Sequence, residues 1–238
     1  MSMTLTKINA LDTFIKGEKT AARWDKMKRL YFPVWQLAAA NAICMKSLTS
    51  GTFNGSILHE AKGVNASGIT GNMNSNTNLG SLGVTNTSFH FALLMPNGPE
   101  EDYSFPFSVN GSASHPNRVY HGWSDSSPFT AIMEKLFGNS PTINASVMTV
   151  GNDSNAGNLY LKERTSVGVN VVETIAGSVT TAFPANNLFI IGLDNQVGAM
   201  GQPIGAFSVS TEFSSTQDTA YTAALKTVWE TCTGFTIA

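Results

Sequence analysis

The densest group of side chains able to do chemistry is His115-Pro-Asn-Arg-Val-Tyr-His121-Gly-Trp123-Ser-Asp125. Exposed Trp, Tyr and His rings can stack on a sugar face while Asp and Asn hold its hydroxyls. The competing reading puts Trp123 in the core, as the usual burial of tryptophan favours. Asp194-Asn195 and Asn152-Asp153-Ser154-Asn155 bring together the oxygen ligands that calcium takes, but both are equally good β-turn sequences. The sequence nominates His121, Trp123, Asp125, Asp194 and Asn195 as ligand-binding residues.

Catalytic patterns are missing. The four histidines (His59, His90, His115, His121) form neither an HExxH nor a His-x-His pair, and two cysteines cannot build a thiolate cluster. No GxSxG, Walker or GxGxxG loop occurs. Glycosidases need two carboxylates flanking the scissile bond. The one tight acidic group, Glu100-Glu101-Asp102, reads as a loop tip. The expectation is no enzyme, no catalytic residue, no metal and no cofactor.

Charge is sparse and uneven. Charged residues make up 13% of 238, while Ser, Thr and Asn number 24, 25 and 21. The net charge of −2 gives no global drive toward nucleic acid. Residues 1–46 carry eight basic and three acidic residues, a net of +5, leaving −7 for the rest. Lys16, Lys19, Arg23, Lys26 and Arg29, with Lys28 beside them, form either a solvated face or a docking face. A docking face would meet an acidic partner or the acidic body of the same fold.

Several kinds of element must position these residues. Ile8, Leu11, Phe14 and Ile15, then Trp24, Met27, Leu30 and Tyr31, recur at helical spacing and predict helices over about 6–16 and 19–31, stopped near Pro33. Beyond residue 50 short apolar runs alternate with Gly, Asn, Ser and Thr. Strands are predicted at 56–59, 89–95, 103–109, 118–123, 146–151, 159–164, 170–175, 188–193 and 204–212. Segment 64–88 reads as polar edge strands and turns, and 128–137 as a short helix. Ser215-Thr-Gln-Asp218 has capping-box spacing before a helix over about 216–232, whose inner face holds Tyr221, Ala224, Leu225, Val228 and Cys232. With no helix between strands, the fold class is mainly β: an antiparallel two-sheet β-sandwich, jelly-roll-like, with N-terminal helices and a C-terminal helix. The predicted division is a helical docking segment over 1–46 and a sandwich over 47–238. Cys232 reads as a small buried hydrophobe, with a Cys44–Cys232 disulfide as the alternative. No signal peptide and no membrane-spanning run is seen, so no membrane insertion is expected.

Two stretches resemble a family of bacteriophage and prophage structural proteins. One is Trp24-Asp-Lys-Met27-Lys-Arg-Leu-Tyr31-Phe-Pro33, with Lys46-Ser-Leu48 and Phe53-Asn-Gly55. The other is Asn186-Asn187-Leu188-Phe189-Ile190-Ile191-Gly192-Leu193-Asp194-Asn195. Asn158–Thr165 is similar to the family's R-T/S strand. Phe32 is inserted before the proline, and Glu173–Gly177 stands where the family has Lys-Asn-Gly. The resemblance implies a concanavalin/laminin-G-like sandwich in a virion, made in the host cytoplasm. It also implies other virion proteins as partners and homo-oligomers under particle symmetry. A host-surface glycan is a further partner it allows; a stand-alone lectin-like module is the alternative, and a polysaccharide hydrolase on the same sandwich stands third. The matching positions are packing and turn residues and carry no catalytic role.

Overall fold

The computed structural model describes residues 3–97, 107–109, 119–124, 127–132, 135–137, 146–165, 167–180, 182–183, 185–192 and 201–237. It gives the backbone alone at 68–69, 119–124, 127–132, 135–137 and 146. Thirteen strands are described in three antiparallel sheets. The largest has the order β1 (Met27–Tyr31), β13 (Ala206–Ser210), β4 (His90–Met95), β9 (Ser146–Asp153), β10 (Asn158–Arg164), β11 (Val169–Ala176). The second has the order β2 (Thr52–His59), β3 (Val64–Asn78), β12 (Asn187–Ile190), β5 (Phe107–Ser108). The third is β6 (Val119–Ser124), β7 (Ser127–Ile132) and β8 (Lys135–Phe137). Every strand predicted from the sequence overlaps one of these. Segment 64–88, expected as edge strands and turns, is corrected: it holds β3, an inner strand paired with β2 and β12, and a 3₁₀ turn at Gly80–Leu82.

Alternation along the strands of the large sheet builds two cores. Phe91, Leu93, Met95, Phe207 and Val209 face one way and pack on Met73, Ile190 and Phe107 of the second sheet. Ala92, Leu94, Val147 and Ala206 face the other way, against α1 (Leu5–Thr20) and α4 (Ser215–Thr233), which bring Phe14, Tyr221, Leu225, Val228 and Trp229. The molecule is therefore a β-sandwich with a helical layer on the outside of its larger sheet. Strand β4 is buried along its whole length because both faces are covered.

The helix predicted over 19–31 is corrected. α1 runs on to Thr20, a single turn α2 follows at Arg23–Lys26, and Met27–Tyr31 is the edge strand β1. The register shifts between Met27 and Arg29, so one extra residue is accommodated. This bulge puts Met27 and Leu30 in the helix-side core despite their spacing of three, which imitates a helix. The helix predicted at 128–137 is also corrected. β7 and β8 stand there, and β7 takes its backbone partners from β6 and β8. A short apolar run does not distinguish the two structures by period alone. α4 begins one residue earlier than its predicted box. Ser214 is the N-cap, and Gln217, not Asp218, closes the reciprocal pair. Gly234, left-handed at φ 78°, ends the helix. Cys44 and Cys232 are both free and buried, which removes the disulfide alternative.

Candidate functional site

The Asn152–Asn155 segment forms the end of β9 and the turn into β10, and this turn walls a polar cavity of about 260 Å³. Thr87, Asn152, Asp153, Ser154, Asn158 and Ser178 line it, with Gly157 and Gly177 between them. Each wall is held locally. Asn152 accepts from the Phe89 amide at 2.7 Å and donates to the Thr87 carbonyl, tying β9 to the segment before β4. Asp153 Oδ1 accepts from the Ala156 amide at 3.2 Å, which closes the turn. Gly157 adopts φ 66°, and its carbonyl accepts from the Gly177 amide at 2.9 Å. Ser154 donates through both its amide and its hydroxyl to Glu212 Oε1, at 2.6 and 2.7 Å. The polar groups among the lining residues are a carboxylate, amides and hydroxyls on short turns, of which Asn152 and Ser154 already bond within the fold. That chemistry accepts from and donates to neighbouring hydroxyl groups. The volume falls below the roughly 300–1,000 Å³ of pockets for drug-sized ligands, which suits one small polar unit.

Two larger hollows lie elsewhere. One of about 460 Å³ runs between α1 and α4 beside Glu18 and Arg23, and one of about 400 Å³ is apolar, among Met3, Leu11, Trp35, Leu37, Ile43 and Met45. Size favours these two, but the 260 Å³ cavity has the convergent polar groups that recognition of a hydrophilic ligand requires.

A buried charged cluster fastens α4 to the large sheet. His90 Nε2 lies 2.8 Å from Asp218 Oδ1, and Lys162 Nζ lies 3.3 Å from Asp218 Oδ2. Lys162 also donates to Ser215 Oγ at 3.0 Å, and Arg164 to Thr222 Oγ1 at 2.8 Å and the Thr219 carbonyl at 2.7 Å. Burial pushes the Asp218 carboxyl up, but the His90 hydrogen bond and charge, with Lys162, outweigh it and hold Asp218 below the ordinary carboxylate value. Burial lowers the Arg164 guanidinium against the opposing pull of Asp218. His90 and Asp218 have no solvent exposure, so the cluster serves structure and not a ligand.

The nominated residues divide. His121 and Trp123 sit at alternate positions of β6, paired with Thr130 and Pro128. Asp125, Asp194 and Asn195 lie outside the described residues, as does Glu100-Glu101-Asp102. Of the docking residues, Arg23 makes a two-pronged pair with buried Glu18 at 2.7 and 2.8 Å. Lys26 donates to the Glu212 carbonyl and to Gln217 Oε1, and Arg29 to Thr77 Oγ1. Those three engage the chain's own fold. Lys16 pairs with Asp12 at the surface, and Lys19 lies 5.8 Å over the Trp24 ring. The sequence offered Asn152–Asn155 as a turn and missed Thr87, Asn158 and Ser178. The cluster Asn-Asp-Ser-Asn-Ala-Gly-Asn marks the turn, but only strand order brings residues 87 and 178 to it. Among the described residues no group of three or more His, Cys, Asp or Glu gathers as for a metal ion, and no helix is long and apolar enough to cross a membrane.

This architecture is an antiparallel β-sandwich with a helical layer outside its larger sheet. No family model matches the sequence, and no curated protein matches it. Solved structures do. Domain 4 of AbnA, a GH43 extracellular arabinanase from Geobacillus stearothermophilus, solved with arabinotriose, is similar at a TM-score of 0.57 and 12% identity, over 83% of this chain and 98% of that one. A botulinum neurotoxin type C structure, whose cell entry depends on interaction with two ganglioside molecules, has a TM-score of 0.56 at 10% identity, over 86% of this chain and 53% of that one. The botulinum neurotoxin serotype D binding domain has a TM-score of 0.51 at 11% identity, over 88% and 52%. The chain thus spans about half the length of the neurotoxin chains. At these identities the likeness is one of fold. It supports the sandwich implied by the phage resemblance and does not reach the virion role.

Proposed function

We propose that this chain is a non-catalytic carbohydrate-binding module that takes a sugar unit in the cavity beside the β9–β10 turn. One observation carries the reading. The arabinanase domain, similar over 83% of this chain, was solved with arabinotriose. The lining of Asp153, Asn158, Thr87 and Ser178 adds support, since it offers acceptors and donors to sugar hydroxyls. Screening the protein against a panel of neutral and acidic oligosaccharides, followed by calorimetry on the best binder, tests it. Asp153→Ala is expected to weaken binding by roughly 10- to 100-fold, the effect of one hydrogen bond to a charged group. Its melting temperature should stay close to wild type, because the hydrogen bond of Asp153 to the Ala156 amide lies within an exposed turn. No binder in the panel, or a variant that binds like wild type, would overturn the proposal.

The phage-like motifs favour a setting in which the module is carried on a particle and its sugar belongs to a host surface. A monodisperse trimer or hexamer in solution is expected there. A monomer at every concentration would remove that setting and leave the module reading intact.

A further inference from the structure

Once Arg23, Lys26 and Arg29 are accounted for by the fold, three other lysines stand out at the corner between α1 and β1. Lys46 Nζ sits 4.7 Å over the Trp24 ring and donates to the Trp24 carbonyl at 2.7 Å. Lys19 Nζ lies 5.8 Å over the same ring, and Lys28 Nζ reaches the next carbonyl, that of Asp25, at 3.5 Å. Lys16, Arg23, Lys162 and Lys226 each have a carboxylate within 4 Å. Lys19, Lys28 and Lys46 have no such pair among the described residues. Asp25 is the acid that acts on Lys46 here. Burial, with Lys28 and Lys19 adding to it, pushes Lys46 below the ordinary lysine value against that pull. Two cations thus lie over the Trp24 ring and a third, Lys28, bonds the neighbouring Asp25 carbonyl, with the exposed Asp25 carboxylate beside them.

This corner and the polar cavity lie at the same end of the large sheet. Met27 opens β1 opposite Ser210 at the close of β13, and Asp153 closes β9 opposite Asn158 at the start of β10. A chain of contacts joins them: Lys26 donates to the Glu212 carbonyl, and Ser154 to the Glu212 carboxylate. β1 and β10 are four strands apart in the order, or roughly 19 Å at about 4.8 Å per strand. An extended oligosaccharide spans that distance.

We infer that the ligand is an acidic saccharide, sulfated or carboxylated, with one unit in the Asp153 cavity and its anionic groups on Lys19, Lys28 and Lys46 around Trp24. This rests on the carbohydrate-binding reading above. A nucleic acid fits less well. The lining of the Asp153 cavity holds no aromatic ring on which a base would stack, while its amides and hydroxyls suit sugar hydroxyls.

The test is calorimetry of the full chain with a heparin-derived hexasaccharide, its desulfated counterpart and a single-stranded oligonucleotide of equal charge, at low salt. The sulfated sugar is expected to bind at least tenfold more tightly than the desulfated one. K19Q/K28Q/K46Q should lose at least that factor, K19R/K28R/K46R should restore it, and Lys226→Gln should bind as wild type. Equal affinity for the desulfated sugar, a glutamine variant that binds unchanged, or an oligonucleotide that binds as tightly would overturn the inference. Neutral-sugar binding that depends on Asp153 but not on the lysines would refute this inference alone. Lysine-dependent binding matched by the oligonucleotide and indifferent to Asp153→Ala would refute the carbohydrate reading as well.

Discussion

Asp218 is where a single side chain matters most to the fold. Removing its carboxylate strands Lys162 and His90 in the interior, and unpairing a buried charge costs about 3–5 kcal/mol. Asp218→Ala should lose about that much in urea denaturation. The same group sets acid stability. Its folded value is below the unfolded value of about 3.9, so its contribution is present above that pH and is lost as pH falls through the folded value. Melting temperature should therefore drop below about pH 4, and Asp218→Asn should flatten that part of the profile. At the other extreme, burial pushes the Cys232 thiol up to about 11. A thiol reagent at pH 8 should label neither cysteine in the native protein and both after unfolding. The buried role of Cys232 was legible from its helical spacing. The partnership of His90 and Asp218 was not, because 128 residues separate them and only the packing of α4 on β4 joins them.

At the level of elements, local chemistry was readable where it decides the outcome and misleading where tertiary partners do. The nine strand segments show period-2 or apolar patterns that the sheets realise. α4 was visible through its apolar face and its glycine stop, with the cap one residue off. Ser214→Ala should cost about 1 kcal/mol, since the Gln217 amide loses its acceptor at the helix start. β1 was read as helix because a bulge mimics the i, i+3 spacing, and no local signal marks a strand whose partner lies at residues 207–210. Gly205 shows the same dependence on distant neighbours. A Cβ there would lie 2.3 Å from Trp229 Nε1, 2.8 Å from Leu94 Cδ2 and 2.9 Å from the Lys62 carbonyl. Gly205→Ala should destabilise by about 1–3 kcal/mol as helix and strand are forced apart. Nothing in the sequence around Gly205 announces that crowding.

At the scale of the molecule, the two ends of the chain share one layer. Phe14 of α1 packs on Tyr221 of α4 with ring centroids 6.3 Å apart, and Met27, Leu30 and Phe32 belong to the same core. Deleting residues 1–33 removes the edge strand and part of that core. The shortened protein should therefore fail to give a cooperative melt. The fold class was legible from composition and period, because short strands without intervening helices leave few assemblies. The candidate site was only half legible. Its turn is local, while its other walls come from β4's approach and β11's end.

The pairing of β1 with β13 also has a consequence for synthesis. Met27 meets Ser210, 183 residues further along the chain. At about 5–20 residues per second, a ribosome takes roughly 10–40 s to make that stretch. Throughout it the nascent β1 has only the Tyr31–Cys44 bridge and the Met45 amide on its Leu30 carbonyl, and the edge that β13 will cover stays unpaired, which invites association with other chains. Slowed elongation after residue 33 should then raise the insoluble fraction on expression, and an early chaperone partner should lower it.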